Sequence, residues 1–446
     1  MIFPSPPDLT LAAELFDQLR AQDTGAAGPS GPSGLSGLGG ITRDTYGPGE
    51  QKAHRLMAET ARTLGLEVST DAALNLYLTL PGRNRALPAV MTGSHLDSVP
   101  LGGNYDGAAG VVAGLAVLAG WVAAGCQPEH DVTVMAIRAE ESAWFPVSYI
   151  GSKAAFGQLD PTALSACRFD TGRTLSKHLA ECGGNPDALA AGTPHISAAA
   201  VDCFIELHIE QGPVLVGGGW PLGVVSGICG SLRYRQARVT GVYAHSGATP
   251  RRHRNDAVVA FAGLVHQLQD DWAAMENDGH ELTLTFGQAN TDARQADISK
   301  VAGRVDFCID IRSRSIETLA EMDGRIQRAA ADLTALHGVD FAFGPTSGSQ
   351  PAEMDAGLQQ RLQTALADAA LPAITLPSGA GHDAANFANA GVPSAMLFVR
   401  NAKGSHNPDE SMDMADFALG ATALGRLLGE RAGLFSSALS PNAITP

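Results

Sequence analysis

AVMTGSHLDSVPLGGNYDGAAGVVAGLAVLAGWVAAGCQPEHDVTVMAIRAEE, residues 89–141, is the stretch whose reading decides the fold. It opens on an apolar strand, AVMTGSH, and crosses a glycine-rich loop, VPLGGNYDGAAG. A long apolar run follows over 110–125, and a second strand, DVTVMAIR, ends on Glu140 and Glu141. The run at 110–125 contains four glycines and leads into a polar loop, so it reads as a buried helix and not a membrane span. Strand, helix, strand in this order implies a parallel sheet with a crossover helix. In such sheets functional groups collect where strands end and loops begin. His95 and Glu140 stand at those positions.

Outward from this core the same alternation continues. Toward the N-terminus, a helix is expected over 8–22 and a second one from the PGE at 48–50 to Gly65. Strands follow near 66–70 and 74–80, with a turn at PGR, 81–83. Between the two helices, the Gly, Ser and Pro content of 26–40 suggests a mobile loop with little to bury. Downstream, CFIELHIEQG at 203–212 is another apolar strand, ending with His208 and Glu210. From 213 to 344 the texture changes to RQARVTGVYAH, a helix, LTLTFGQA, RVDFCIDIR, a long helix and VDFAF, a smaller α/β unit with strands able to pair antiparallel. After it come a helix at 354–369, the strand PAITLP, the helix DAANFANAG, the strand SAMLFV and a last helix beyond Met412. The expected organisation is therefore α/β: a central mixed, mostly parallel sheet flanked by helices, formed by 1–212 and 345–446 and split by an inserted domain at 213–344. No repeat of solenoid type is present.

Composition bounds the function. With 446 residues the chain is too long for one ordinary core, and 45% hydrophobic content supplies the material for two or three. Acidic residues exceed basic ones by 46 to 30, a formal charge of −16 without any Lys/Arg run, which argues against nucleic acid as a partner. The opening MIFPSPPDLTLAAELFDQLR lacks the basic and apolar regions of a secretory signal. The six cysteines (126, 167, 182, 203, 229 and 308) form no CxxC pair and read as reduced core residues. Together these point to a cytoplasmic enzyme with neither a nucleic-acid nor a membrane partner.

The chemistry-bearing residues are individually ordinary. His95 alone is a satisfied core histidine, and Asp106-Gly107 alone is a turn. Glu140-Glu141 changes the balance, because adjacent acids at the end of an apolar strand are costly to bury without a cation. Neighbouring strand residues point to opposite sides, so one Glu is free to meet a metal while the other faces substrate. His208 and His406, the latter in GSHNPDE, add imidazoles, and imidazole with carboxylate suits zinc, manganese, cobalt or nickel. Asp97 reads as the carboxylate that fixes the His95 tautomer. SGAGHDA at 378–384 lacks the GxSxG form that a serine hydrolase needs at its nucleophile.

Taken together, GSHLDSVPLGGNYDG, AEES, ELHIEQGPVL, HSGATPRRHRNDA, SGAGHDA and GSHNPDE resemble the hydantoinase/carbamoylase amidases, a branch of the M20 zinc-peptidase-like amidohydrolases. GGITRDTYGPGEQ at 39–51 is similar to their N-terminal segment. The resemblance implies two divalent ions per subunit, zinc first, with His95 and His208 completing one site, Glu141 and His406 the other, and Asp106 bridging. It implies Glu140 as general base, a homodimer through the inserted lid, and His245 as a catalytic group. It places Gln211, Arg312, His382 and Gly379 at the substrate, which would be a small ureido or amide acid. Two positions depart from the pattern: Ser299 stands where many members begin a strand with Asn, and Ser142-Ala143-Trp144-Phe145 replaces Gly-Ser-Arg-Phe. The implied reaction is hydrolysis of a carbamoyl C–N bond. An allantoate- or ureidoglycolate-type amidohydrolase, an aminoacylase or peptidase on the same metal core, and a non-catalytic binding protein stand as alternatives.

Overall fold

The structure, a computed structural model, describes residues 5–22, 39–372 and 374–434. Of the loop expected over 26–40, residues 26–38 lie outside the described residues. The chain divides into two compact units. The first comprises Met1–Ser226, Met354–Ser378 and His382–Pro446, and the second Gly227–Glu353 with Gly379–Gly381.

In the first unit the strands lie in the order Glu67–Thr70, Leu76–Leu80, Val132–Ile137, Ala89–His95, Val201–Ile209, Ser394–Val399, Leu222–Ile228. The four central ones, Val132–Ile137 to Ser394–Val399, run parallel, and antiparallel strands complete both edges. Val132–Ile137 and Ser394–Val399 are buried along their whole length, as parallel strands covered on both faces must be. One face packs Leu15, Phe16, Val111, Leu115, Leu362 and Phe417 from the helices Leu9–Gln22, Ala108–Ala123, Ala356–Asp368 and Met414–Arg431. A separate cluster, with Trp144, Phe145, Ile150 and Leu175, packs beside Ala139 where the chain leaves Val132–Ile137. Local signals set the helix ends: Pro48 occupies the first turn of Pro48–Thr63, and Asp355 and Asp413 cap the two C-terminal helices. Cys203 is the fully buried cysteine; Cys167 is exposed and the other four are intermediate, all of them free thiols, so most are not the core residues expected.

The second unit has its own core, built on a sheet in the order Ala289–Thr291, Arg304–Ser313, Gly230–Thr240, Asp340–Ala342. Arg304–Ser313 alternates strictly between buried and partly exposed residues, with Val305, Phe307, Ile309 and Ile311 turned into the core shared with helices Ala257–Asn277 and Ile316–His337. RQARVTGVYAH is not one strand: Gly230–Thr240 ends before Gly241, and Ala244–His245 pairs separately with Lys300–Val301. The inserted unit begins at 227 and ends at 353, where sequence texture put 213 and 344. The reason is pairing, because Leu222, Gly223 and Val224 lie antiparallel to Val399, Phe398 and Leu397 in the first unit's sheet. No helix among the described residues is long and apolar enough to cross a membrane.

Candidate metal centre

Two histidines stand at the carboxyl ends of neighbouring parallel strands. His95 is the last residue of Ala89–His95, and His208 the penultimate residue of Val201–Ile209. The His95 Nδ1 lies 3.0 Å from the Asp97 carbonyl and the His208 Nδ1 2.8 Å from the Ile209 carbonyl. A carbonyl only accepts, so each ring carries a hydrogen on Nδ1 and turns Nε2 inward as the atom available to a metal. Both Nε2 atoms face one oxygen, Asp106 Oδ1, at 3.4 and 3.3 Å. Gly107, at φ 65°, makes this approach feasible, since a Cβ there would sit 2.5 Å from His95 Nε2.

The other oxygen of Asp106 faces a second cluster. His406 Nε2 lies 3.5 Å from Asp106 Oδ2 and 3.3 Å from Glu141 Oε1. These groups come from loops whose backbone includes conformations that L-residues seldom adopt: His406 has φ 60° and Ala139, just before the Glu pair, φ 56°. The structure thus gathers His95, Asp106 and His208 as one donor set and Asp106, Glu141 and His406 as another, with Asp106 common to both. A third set, Glu206, His208 and His382, lies behind His208.

Glu140 belongs to neither of the first two sets, although its neighbour does. Its backbone N–H donates to Asp97 Oδ1 (3.1 Å) and that of Glu141 to Asp97 Oδ2 (3.2 Å), so one carboxylate orients the Glu pair while its carbonyl orients His95. Asp97 is in turn held by the Thr45 hydroxyl at 2.5 Å. Beneath the pair, fully buried Glu50 accepts from Ala139 N (3.0 Å), Tyr46 N (2.7 Å) and Arg138 (3.0 Å), and Arg43 donates to the Leu96 carbonyl at 2.7 Å. GGITRDTYGPGEQ is therefore the buttress of the site. Its residues carry no role in the sequence reading; the one signal was the segment's similarity to the family's N-terminal region, and only the fold brings it under Ala139.

Seven buried carboxyl groups, Asp97, Asp106, Glu140, Glu141, Glu206, Asp383 and Glu410, occupy this region. Burial raises the proton affinity of Glu140 well above the usual carboxylate range; His95 opposes this and Glu141 adds to it. Burial likewise lifts Glu206 and Glu410, and Asp383 to about 7. Asp106 goes the other way: burial would raise it, but His208 and His95 hold it well below. Burial would lower His95 and His208, yet Asp106 lifts both, with Asp97 also raising His95. His406 is raised to about 9, first by Glu141. So much buried acid calls for cations. Asp106 Oδ1, buried and without a hydrogen bond among the described residues, stands where an ion between His95 and His208 would use it. The donor chemistry, hard carboxylate with imidazole, fits divalent ions of the zinc and manganese kind.

The remaining residues singled out from sequence fall in both units. In the first, His382 is buried against His208 (ring centroids 4.5 Å apart), with Nε2 2.9 Å from the Ser378 hydroxyl. Gln211, at φ 62°, places its amide on Asp106 Oδ2 at 2.7 Å and leaves Oε1 without a hydrogen bond among the described residues. In the second unit, Arg312 donates to Asp310 at 2.9 and 3.1 Å and to the Gly379 carbonyl at 3.0 Å. His245 is exposed, and its Nδ1 accepts from the backbone N–H groups of Gly247 and Ala248, both at 3.1 Å. An accepting Nδ1 leaves the ring hydrogen on Nε2. Ser299 lies beside it, the carbonyl accepting from Ser246 N and the hydroxyl turned to Asp297. Trp144 packs inward and donates to the Ser98 carbonyl at 2.8 Å, so this departure serves the wall behind the Glu pair.

Residues 91–430 match the model of peptidase family M20/M25/M40. The chain belongs to that family. Within it, the chain is similar to the hydantoinase/carbamoylase amidases: a crystal structure of one from Burkholderia ambifaria superposes with a TM-score of 0.77 at 30% identity, covering 97% of this chain and 99% of that one. An N-carbamoyl-L-amino acid amidohydrolase of Geobacillus stearothermophilus is 34% identical over 86% of this chain and 91% of its own length. The allantoate amidohydrolase of Escherichia coli K12 is 32% identical over 87% and 92%. This M20 protein is a hydrolase of carbon–nitrogen bonds other than peptide bonds, and its donor clusters suit the metal dependence of the family.

Proposed function

We propose that the protein hydrolyses the carbamoyl C–N bond of an N-carbamoyl amino acid or a related ureido acid, using two divalent ions per subunit, zinc first among zinc, manganese, cobalt and nickel. One observation carries the two-ion reading: the two oxygens of Asp106 face different donor sets, His95 with His208 and Glu141 with His406. Bound there, such ions supply acidity to a water molecule and polarise a carbonyl oxygen. Glu140, buried beside these sets but outside them, takes the water proton and passes it to the leaving nitrogen, acting as base and then as acid. Hydrolysis of the ureido group releases the amino acid, carbon dioxide and ammonia.

Asp97 acts indirectly, holding the His95 tautomer and the Glu140–Glu141 backbone. Arg312 supplies a guanidinium fork for the substrate carboxylate, a geometry Lys cannot reproduce. His245 offers its Nε2–H to the developing oxyanion, and Gln211, His382, Ser299 and Gly379 contact substrate. The protein works in the cytoplasm as a homodimer formed through the inserted unit, with no nucleic-acid or membrane partner. Support for the dimer and the substrate contacts is the family resemblance.

The allantoate amidohydrolase relative favours a second reading, in which the ureido acid is allantoate or a ureidoglycolate-like compound. A panel of N-carbamoyl-L-α-amino acids, N-carbamoyl-β-alanine, allantoate and N-acetyl amino acids, run on protein loaded separately with each metal, decides between them. Turnover of N-carbamoyl amino acids above the rest is the expected result. Preference for N-acetyl substrates would replace it with an aminoacylase.

A further inference from the structure

The two donor sets differ in how they are held. His95 and His208 stand on the strands Ala89–His95 and Val201–Ile209, whereas Asp106 and His406 sit in loops, the second at φ 60°. Loops position side chains less accurately than strands do, so a two-ion site built across two loops needs something to register them.

Glu410 is placed to do this. It is buried, and its Oε1 accepts from the backbone N–H groups of Tyr105 (2.8 Å) and Asp106 (3.2 Å), the segment that carries the shared carboxylate. Its Oε2 accepts from the hydroxyl of Ser405, at 2.6 Å, the residue before His406. Ser405 also touches Asp106 Oδ2, which closes a ring through both loops. The glycine-rich loop is shaped around this carboxylate: a Cβ at Gly103 would lie 2.0 Å from the Glu410 carboxyl carbon. Glu410 itself is anchored from the other side, because Ser411–Met412 pairs with Asn401–Ala402 immediately after it. Within the turn, the Asn407 amide donates to the carbonyls of Lys403 and Ser405.

We propose that Glu410 is a positioning residue that clasps the Asp106 loop to the Ser405–His406 loop, so that Asp106 Oδ2 and His406 Nε2 stand in register for the second ion. The clasp rests on the two-ion reading above. It acts by accepting hydrogen bonds, not by coordinating an ion. Glutamine in its place keeps an acceptor for the two N–H groups and offers its NH₂ to the Ser405 oxygen, whereas alanine loses all three bonds.

The test is a Co²⁺ titration of the full-length, metal-stripped protein, followed by its visible absorption spectrum and by calorimetry, for the parent, E410A, E410Q and S405A. The parent takes up two equivalents. In E410A the weaker equivalent loses roughly 10- to 100-fold in affinity, the range expected when a partner of a metal ligand is removed. The spectrum of the tighter equivalent stays parental, E410Q stays within about threefold of the parent, and S405A falls between. Two equivalents with parental constants in E410A would overturn the clasp and leave the two-ion reading standing, as would E410Q behaving like E410A. If E410A fails to fold by circular dichroism, S405A decides: a parental second equivalent there overturns the proposal. One equivalent or none in the parent would instead overturn the two-ion reading, and the clasp with it.

Discussion

The strand-borne and loop-borne halves of the centre share one carboxylate and solve the same problem differently. His95 and His208 sit at adjacent strand ends whose register is set by backbone pairing, and each is locked by a carbonyl on Nδ1. His95 and His208 are buried, while the His406 side chain is 51% exposed and depends on side-chain bonds among loops. Sheet geometry fixes where the two histidines of the first half start, and the carbonyl on each Nδ1 and the Gly107 turn at φ 65° complete it. The second requires positive-φ backbone and a set of buried acids to reach the same accuracy.

That contrast can be broken or sharpened experimentally. The largest effect is expected from Glu140→Gln, which lies beside the loop-borne half yet outside both donor sets: turnover falls by about 10²- to 10⁴-fold while metal content stays parental. Parallel loss of metal, measured by elemental analysis, would move Glu140 into the ligand set. Gly107→Ala attacks the strand-borne half, because the new Cβ would meet His95 Nε2 at 2.5 Å in a backbone held at φ 65°. A weakening of up to about 100-fold is expected for the ion between His95 and His208. Calorimetric titration showing unchanged affinity would mean that the loop yields more easily than its hydrogen bonds suggest.

Arg312→Ala touches neither half and serves as the contrast to both. It should cost roughly 30-fold in kcat/KM on carboxylate-bearing substrates, about 2 kcal/mol for a charged hydrogen-bonded pair, with metal binding untouched. Steady-state kinetics equal to the parent would leave Arg312 as no more than the partner of Asp310.

The smallest effect is a pH slope. His406 in the metal-free protein is raised to about 9, first by Glu141, so it is protonated at neutral pH and an incoming ion must displace that proton. Affinity for the second ion should therefore rise with pH, by at most roughly tenfold per unit, and level off above about 9. The stability of the metal-free chain runs in the opposite sense. A raised histidine stabilises fully below its ordinary value near 6.5, and that contribution fades as pH climbs through about 9. A pH-independent second binding constant would show that His406 is already neutral.

Much of the fold is legible in the sequence, for reasons that are local. AVMTGSH is the observed strand Ala89–His95 residue for residue, and the apolar run at 110–125 is the buried helix Ala108–Ala123 within two residues at each end. Apolar runs bounded by glycine-rich loops leave few alternatives. Where the reading slipped, non-local pairing was responsible. Residues 213–226 look like the start of the inserted unit, but Leu222–Ile228 completes the first unit's sheet next to Ser394–Val399.

The site divides along the same line. Sequence alone determined which residue types could carry the chemistry and their order along the chain: His95, Asp106, Glu141, His208 and His406, with Glu140 beside them. Those features are written in motifs; the strand alternation expected to separate Glu140 from Glu141 does not apply, because the strand ends at Ile137 and a positive-φ turn at Ala139 sets the pair in a loop. Only the tertiary structure decided which oxygen of Asp106 faces which histidine. It alone brought Thr45 and Glu50 under the Glu pair and set Glu410 across two loops about 300 residues apart, numbered 106 and 405. The reason is physical: a carboxylate's partners are chosen by the packing of distant segments, and nothing in its immediate neighbours encodes that choice.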